Sequence, residues 1–199
     1  MIAETPRQVN EASETTQRIS LYDRLHLKII SLIHDTMYSV FVDPYVWLNS
    51  AGLKPGLTAL EVGCGPGFFT VPAARILGNT GHFYTIDINP AAVQHVRRKV
   101  ERSGLTSVEI FHADAVKTGL RCESIDVAFL FGILHSLKDL NAVLLEMHRV
   151  LRKSGTLAVE KSRSESSLMK SFTKDGLFHF VGKGSNIYRF EKREVTVKP

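Results

Sequence analysis

Cysteine is scarce: Cys64 and Cys122 are the only two in 199 residues. Two thiols this far apart build neither a disulfide framework nor a CxxC metal site, so reduced thiols are the simpler expectation. Long apolar runs are also missing. The longest near the middle, Val127-Ala-Phe-Leu-Phe131, is strand-sized and far short of a membrane span. Met1-Ile-Ala-Glu-Thr-Pro6 lacks the basic-then-apolar layout of a secretory leader, and a cytoplasmic protein is therefore expected. His112, His148 and His179 show no metal-ligand spacing, which predicts structural roles and no metal. Acidic excess is absent too, since the formal net charge is +5. Residues 1–160 carry 16 Lys/Arg against 16 Asp/Glu, whereas residues 161–199 carry 9 against 4. The cations of that last stretch are scattered singly, which fits a solvated face better than a nucleic-acid surface.

What is present is the composition of one globular domain, 44% hydrophobic and 23% charged. Residues 1–20 are polar and read as a loose arm. Leu21, Leu25, Ile29 and Ile33 recur at helical spacing, and a second short helix is predicted over Pro44–Gly52 with Asp43 as its cap. Together residues 21–53 are expected to form a helical lid, with Tyr38, Phe41 and Trp47 as its aromatic face. From residue 54 to 199 strands and helices alternate. Strands are predicted over Leu57–Val62, His82–Asp87, Val108–Ala113, Ile125–Leu130 and Thr156–Glu160. Helices are predicted over Phe68–Leu77, Asn89–Gly104, Leu140–Lys153 and Ser164–Lys174. A hairpin follows, Leu177–Val181 and Ile187–Phe190 around a Gly182–Asn186 turn. This pattern predicts an α/β fold: a doubly wound, mostly parallel sheet with helices on both faces, closed by an antiparallel hairpin.

The chemistry concentrates after the first strand, at Glu61-Val-Gly-Cys-Gly-Pro-Gly67. Glycines at alternate positions between a strand and a helix let the backbone turn tightly and approach a ligand at a helix N-terminus. The frame is G-x-G-x-G; the dinucleotide frame G-x-G-x-x-G would need glycine where Phe68 stands. Asp87 ends the second strand, 24 residues after Gly63, where a carboxylate can accept both hydroxyls of a ribose. Asp114 ends the third strand. Three successive strand ends thus converge on one crevice.

These residues carry a resemblance. Leu60-Glu-Val-Gly-Cys-Gly-Pro-Gly-Phe-Phe-Thr70, Ile86-Asp-Ile88, Ala113-Asp-Ala115, Ile125-Asp-Val127 and Val150-Leu-Arg-Lys-Ser-Gly-Thr-Leu157 resemble the ordered motifs of class I S-adenosylmethionine (SAM)-dependent methyltransferases. The branch of ubiquinone/menaquinone-biosynthesis C-methyltransferases is the most similar. The resemblance implies a Rossmann-like seven-stranded sheet with its seventh strand antiparallel, and SAM as cofactor. It further implies that Gly63, Cys64, Gly65 and Gly67 hold the methionine end of SAM with support from Glu61. Asp87 would take the ribose hydroxyls, Ile88 would pack on adenine, and Asp114 with Ala115 would read the adenine edge.

The acceptor should lie beyond the fourth strand, at Leu130-Phe-Gly-Ile-Leu-His-Ser136, with Phe131 on the cofactor side. That stretch lacks the Asn/Asp-Pro-Pro-aromatic tetrad of amino-methylating enzymes and the clustered acids of Mg²⁺-dependent catechol methylation. Two cysteines are also too few for thiolate-dependent arsenic methylation. A small-molecule acceptor is expected. His135 is the titratable side chain in reach, read either as a base or as a polar cap of the next helix. An RNA-directed enzyme and a non-catalytic SAM-binding subunit remain the alternatives.

Overall fold

A computed structural model describes residues 42–161 and 164–194. The arm, the Leu21–Ile33 helix, Tyr38 and Phe41 lie outside the described residues. The elements run α1 (Pro44–Ala51), β1 (Thr58–Val62), α2 (Thr70–Leu77), β2 (His82–Asp87), α3 (Pro90–Arg102), β3 (Val108–His112) and β4 (Ile125–Leu130). After a short 3-10 turn at Leu134–Ser136 come α4 (Leu140–Val150), β5 (Leu151–Glu160), α5 (Glu165–Thr173), β6 (Phe178–Gly184) and β7 (Ile187–Lys192). The seven strands form one sheet in the order β3-β2-β1-β4-β5-β7-β6. β7 pairs antiparallel with β5 and β6, and the other ladders are parallel. Among the described residues no helix is long and apolar enough to cross a membrane.

Each face of the sheet is covered. Leu60, Val62, Leu130, Leu157 and Val159 pack with Leu144, Met147 and Phe172 of α4 and α5. Ala59, Phe83, Val127, Phe129 and Ala158 pack with Leu48, Ala73 and Leu77 of α1 and α2. Parallel strands buried on both sides read as continuous apolar runs, and β1 and β4 do. Caps set the helix starts. Asp43, Asn89, Asp139 and Ser164 each accept a backbone N–H of the first turn of the helix they precede. Asp139, not His135, therefore caps α4.

Three boundaries differ from the expectation. α2 starts at Thr70, because Gly67 N–H donates back to Cys64 O and residues 64–67 close a turn first. α4 stops at Val150 and β5 begins at Leu151, which is fully buried and pairs with Ile125. The register slip between Ile125 and Val127 absorbs the extra residues, with Ser154 in the left-handed region at φ 57°. In the hairpin the turn is only Ser185-Asn186, at φ 42° and 69°, the geometry of a two-residue type I′ connection. Gly182 and Gly184 stay in β6, with an irregularity between Phe180 and Gly182.

The hairpin is tied to the body by Phe190, fully buried and stacked on Phe172 at 4.9 Å. Phe190→Ala should lower the unfolding free energy by about 3–5 kcal/mol, read from urea denaturation. A loss below about 1 kcal/mol would mean that the site collapses freely around the gap.

Candidate cofactor and acceptor site

Gly63, Gly65 and Gly67 all lie in the left-handed region, at φ 80°, 47° and 75°. A β-carbon on Gly63 would strike Ile133 Cγ2 at 2.5 Å, and one on Gly67 would meet Val96 at 3.0 Å. At Gly65 nothing stands within 4 Å. The outer glycines are thus needed for packing, and the middle one borders open space. α2 follows with no side-chain cap on its first turn, so its N–H groups remain available to a negative group.

Asp87 is the clasp of this loop. Its Oδ2 accepts Gly65 N–H at 2.8 Å and its Oδ1 accepts Asn89 N–H at 2.8 Å. Gly63 and Cys64 N–H both donate to Ile86 O, which ties the loop to β2 a second time. A carboxylate has about four lone-pair sites, so each oxygen keeps capacity for a ribose hydroxyl. Beside it Ile88 is 66% exposed, a large apolar side chain at the crevice rim without a covering neighbour on most of its surface. His112 Nε2 holds Ile88 O at 2.9 Å, a structural role. His148 is engaged similarly, with its Nε2 2.8 Å from Arg193 O. Ala113 N–H donates to Asp87 O, and Asp114, exposed, accepts Val116 N–H at 3.1 Å in a local turn. Ala115 is half-buried against the core.

Glu61 lies beneath the loop, 3% exposed. Its Oε2 accepts Thr70 Oγ1–H at 2.7 Å and Thr85 Oγ1–H at 2.8 Å. Burial pushes its carboxyl from the ordinary 4.5 up to about 7, against the two hydroxyls; Asp87 adds to the rise and Lys99 opposes it. The Cys64 thiol, also buried, is driven well above its usual range by desolvation and by the charges of Glu61 and Asp87. That thiol stays neutral and is no nucleophile.

On the other side of the switch between β1 and β4, Phe131 is buried. Trp47 of α1 stacks on Phe69 at 5.7 Å and meets Phe131 edge-on at 5.7 Å. His135 is exposed in the 3-10 turn and does not touch Asp87 or the glycine loop through any hydrogen bond. Glu160 ends β5 nearby, and burial raises its carboxyl while the Gly132 backbone and His135 oppose the rise. Among the described residues no group of three or more His, Cys, Asp or Glu could hold a metal ion.

The fold therefore gathers Glu61, the glycine loop, Asp87, Ile88, Asp114, Phe131 and His135 along the carboxyl edge of four adjacent strands, the crevice where doubly wound sheets bind ligands. The open face at Gly65, the uncapped α2 and the buried carboxyl of Glu61 are the groups placed to meet a polar ligand there. Sequence reasoning missed Lys99 and Glu160. Glu160 was legible as an acid at a strand end of the same edge. Lys99 had no local signal, because its partners lie over thirty residues away.

Residues 53–192 match a family described as a methyltransferase domain. The chain is similar to a demethylmenaquinone methyltransferase of Geobacillus stearothermophilus, 30% identical over 155 residues, or 73% of this chain and 66% of that one. It is also 30% identical, over 125 residues, to a ubiquinone/menaquinone biosynthesis C-methyltransferase UbiE of Shewanella halifaxensis, covering 62% of this chain and 50% of that one. The chain thus spans roughly half to two thirds of the length of these curated relatives. Among solved structures, a SAM-dependent methyltransferase from Aquifex aeolicus has a TM-score of 0.71 at 24% identity, over 83% of this chain and 97% of that one. At that identity the likeness is one of fold.

The buried carboxyl gives a pH signature. A group whose folded value is raised lends stability that is complete below about 4.5 and is lost as pH rises through about 7. Without ligand, the unaltered protein should lose about 3 kcal/mol more across that window than Glu61→Gln, in urea unfolding at each pH. Equal slopes for the two proteins would contradict the burial of a titrating Glu61.

Proposed function

The chain belongs to the methyltransferase-domain family, and on that premise we propose that it moves a methyl group from SAM to a ring carbon of a small quinone-type acceptor. The resemblance to class I SAM-dependent methyltransferases is borne out by the family match and by the sheet order. The observation that carries the cofactor reading is the Gly65–Asp87 clasp, which sets a glycine loop and a ribose-competent carboxylate side by side. Support for the acceptor comes from the relatives, named for demethylmenaquinone and ubiquinone/menaquinone C-methylation, and from half-buried Trp47 packed on the buried rings of Phe69 and Phe131.

SAM, when bound, supplies an electrophilic methyl carbon on a sulfonium leaving group. The chain's own work is alignment, exclusion of water and removal of a proton. Gly63–Gly67 and Asp87 would hold the cofactor, Ile88 would cover adenine, and Asp114 with Ala115 would meet its edge. Phe131 would help keep the transfer space dry, and the half-buried Trp47 would offer an aromatic contact to a hydroquinone ring. Methylation at a ring carbon would require that carbon to give up its proton to the chain. Glu160 is the candidate to take it: its half-buried carboxyl is raised by burial, and His135, which opposes that rise, is the second candidate base.

The test is transfer of labelled methyl from SAM to reduced demethylmenaquinone. The unaltered protein should form the methylated ring product, and Glu160→Gln should lower kcat about a hundredfold with SAM binding intact. SAM binding without transfer to this acceptor would contradict the acceptor assignment.

A further inference from the structure

Lys99 occupies the last turn of α3, where a cation ordinarily offsets the helix dipole from solvent. Here it turns back to the glycine loop. Its Nζ donates to Gly67 O at 2.8 Å and to Pro66 O at 3.4 Å. The stem follows the same path, since a β-carbon on Gly67 would come within 3.4 Å of Lys99 Cδ. The side chain is half-buried along this path, whereas its neighbours Arg97 and Arg98 are exposed. An ammonium has no acceptor capacity, so its donation to two carbonyls fixes which side of the loop offers C=O and which offers N–H.

The loop is therefore gripped from both sides by opposite charges. Asp87 takes the N–H of Gly65, and Lys99 takes the carbonyls of Pro66 and Gly67. Resting on the cofactor reading above, we propose that Lys99 is a positioning residue for SAM: it holds the carbonyl side of the glycine loop so that the open face of Gly65 and the first turn of α2, which has no side-chain cap, point at the cofactor. Its charge has a second effect. Glu61 faces the hydroxyls of Thr70 and Thr85, the thiol of Cys64 and the carboxylate of Asp87, and Lys99 is the cation among these neighbours that favours its ionised form. An anionic Glu61 is the form that attracts the cofactor's ammonium.

Calorimetry of SAM binding to the full chain between pH 6 and 8.5 tests this. The unaltered protein is compared with Lys99→Gln, Lys99→Arg and the control Arg98→Gln. Lys99→Gln should weaken binding about tenfold at neutral pH, the scale of a lost charge-assisted hydrogen bond. It should also move the pH dependence of affinity upward, because Glu61 then ionises later. The titration of the cofactor's own amino group is common to all variants and cancels. Lys99→Arg keeps charge and donors and should restore both affinity and pH dependence, while Arg98→Gln should change neither. Should Lys99→Gln fail to fold, Lys99→Met gives the same neutral comparison. Affinity unchanged in the neutral variants, or reduced by one factor at every pH, overturns the proposal alone. An unaltered protein that does not bind SAM overturns the cofactor reading, and the proposal with it.

Discussion

Asp87 accepts the Gly65 N–H at 2.8 Å, and much of the site depends on that bond. A loop with three residues at positive φ has many alternatives in an unfolded or unbraced chain, because glycine restricts the backbone so little. The carboxylate at the end of β2 selects one of them. It does so from a strand fully paired with β1 and β3, so the rigidity of the sheet is passed directly to the loop. The same oxygen pair also starts α3 through Asn89, so one side chain sets loop, ribose-competent acceptor and helix entry together. Charge-assisted hydrogen bonds of this kind are about twice as strong as neutral ones, enough to bias a floppy segment.

This preorganisation carries a thermodynamic cost nearby. Glu61 is held in the core with two threonine hydroxyls as partners, and burial leaves its carboxyl reluctant to ionise. A buried carboxyl without a salt-bridge partner would be a poor choice for stability alone. Under the proposed function it would be kept for the cofactor's ammonium, whose arrival would supply the missing charge. Nearby, Cys64 stays neutral and acts as a small apolar spacer between β1 and α3.

Much of this was legible in the sequence, and the exceptions have physical causes. β2 and β4 fall where their apolar runs lie, His82–Asp87 and Ile125–Leu130, because a buried parallel strand needs an uninterrupted run and nothing longer fits. The start of β5 did not, since Leu151 continues the helical spacing of α4 and only its ladder partner Ile125 decides the matter. The turn of the hairpin was placed too broadly, because Gly182 and Gly184 look like turn residues but remain paired with Arg189 and Ile187. That Glu61, the three glycines and Asp87 come together was legible because each stands at or just after the end of β1 or β2. Lys99 was not, because a lysine at a helix end reads as solvated until the tertiary fold brings a carbonyl to it.

Under the proposed function SAM is held by the loop between β1 and α2 and by the carboxyl ends of β2 and β3. Amide chemical-shift mapping of the full chain on addition of SAM is the decisive measurement. The largest changes should fall at Gly63, Gly65, Gly67, Asp87, Ile88 and Ala115, with the hairpin turn at Ser185-Asn186 unmoved. Shifts confined to the hairpin and the basic residues around Lys161 and Lys183, with the glycine loop silent, would contradict it.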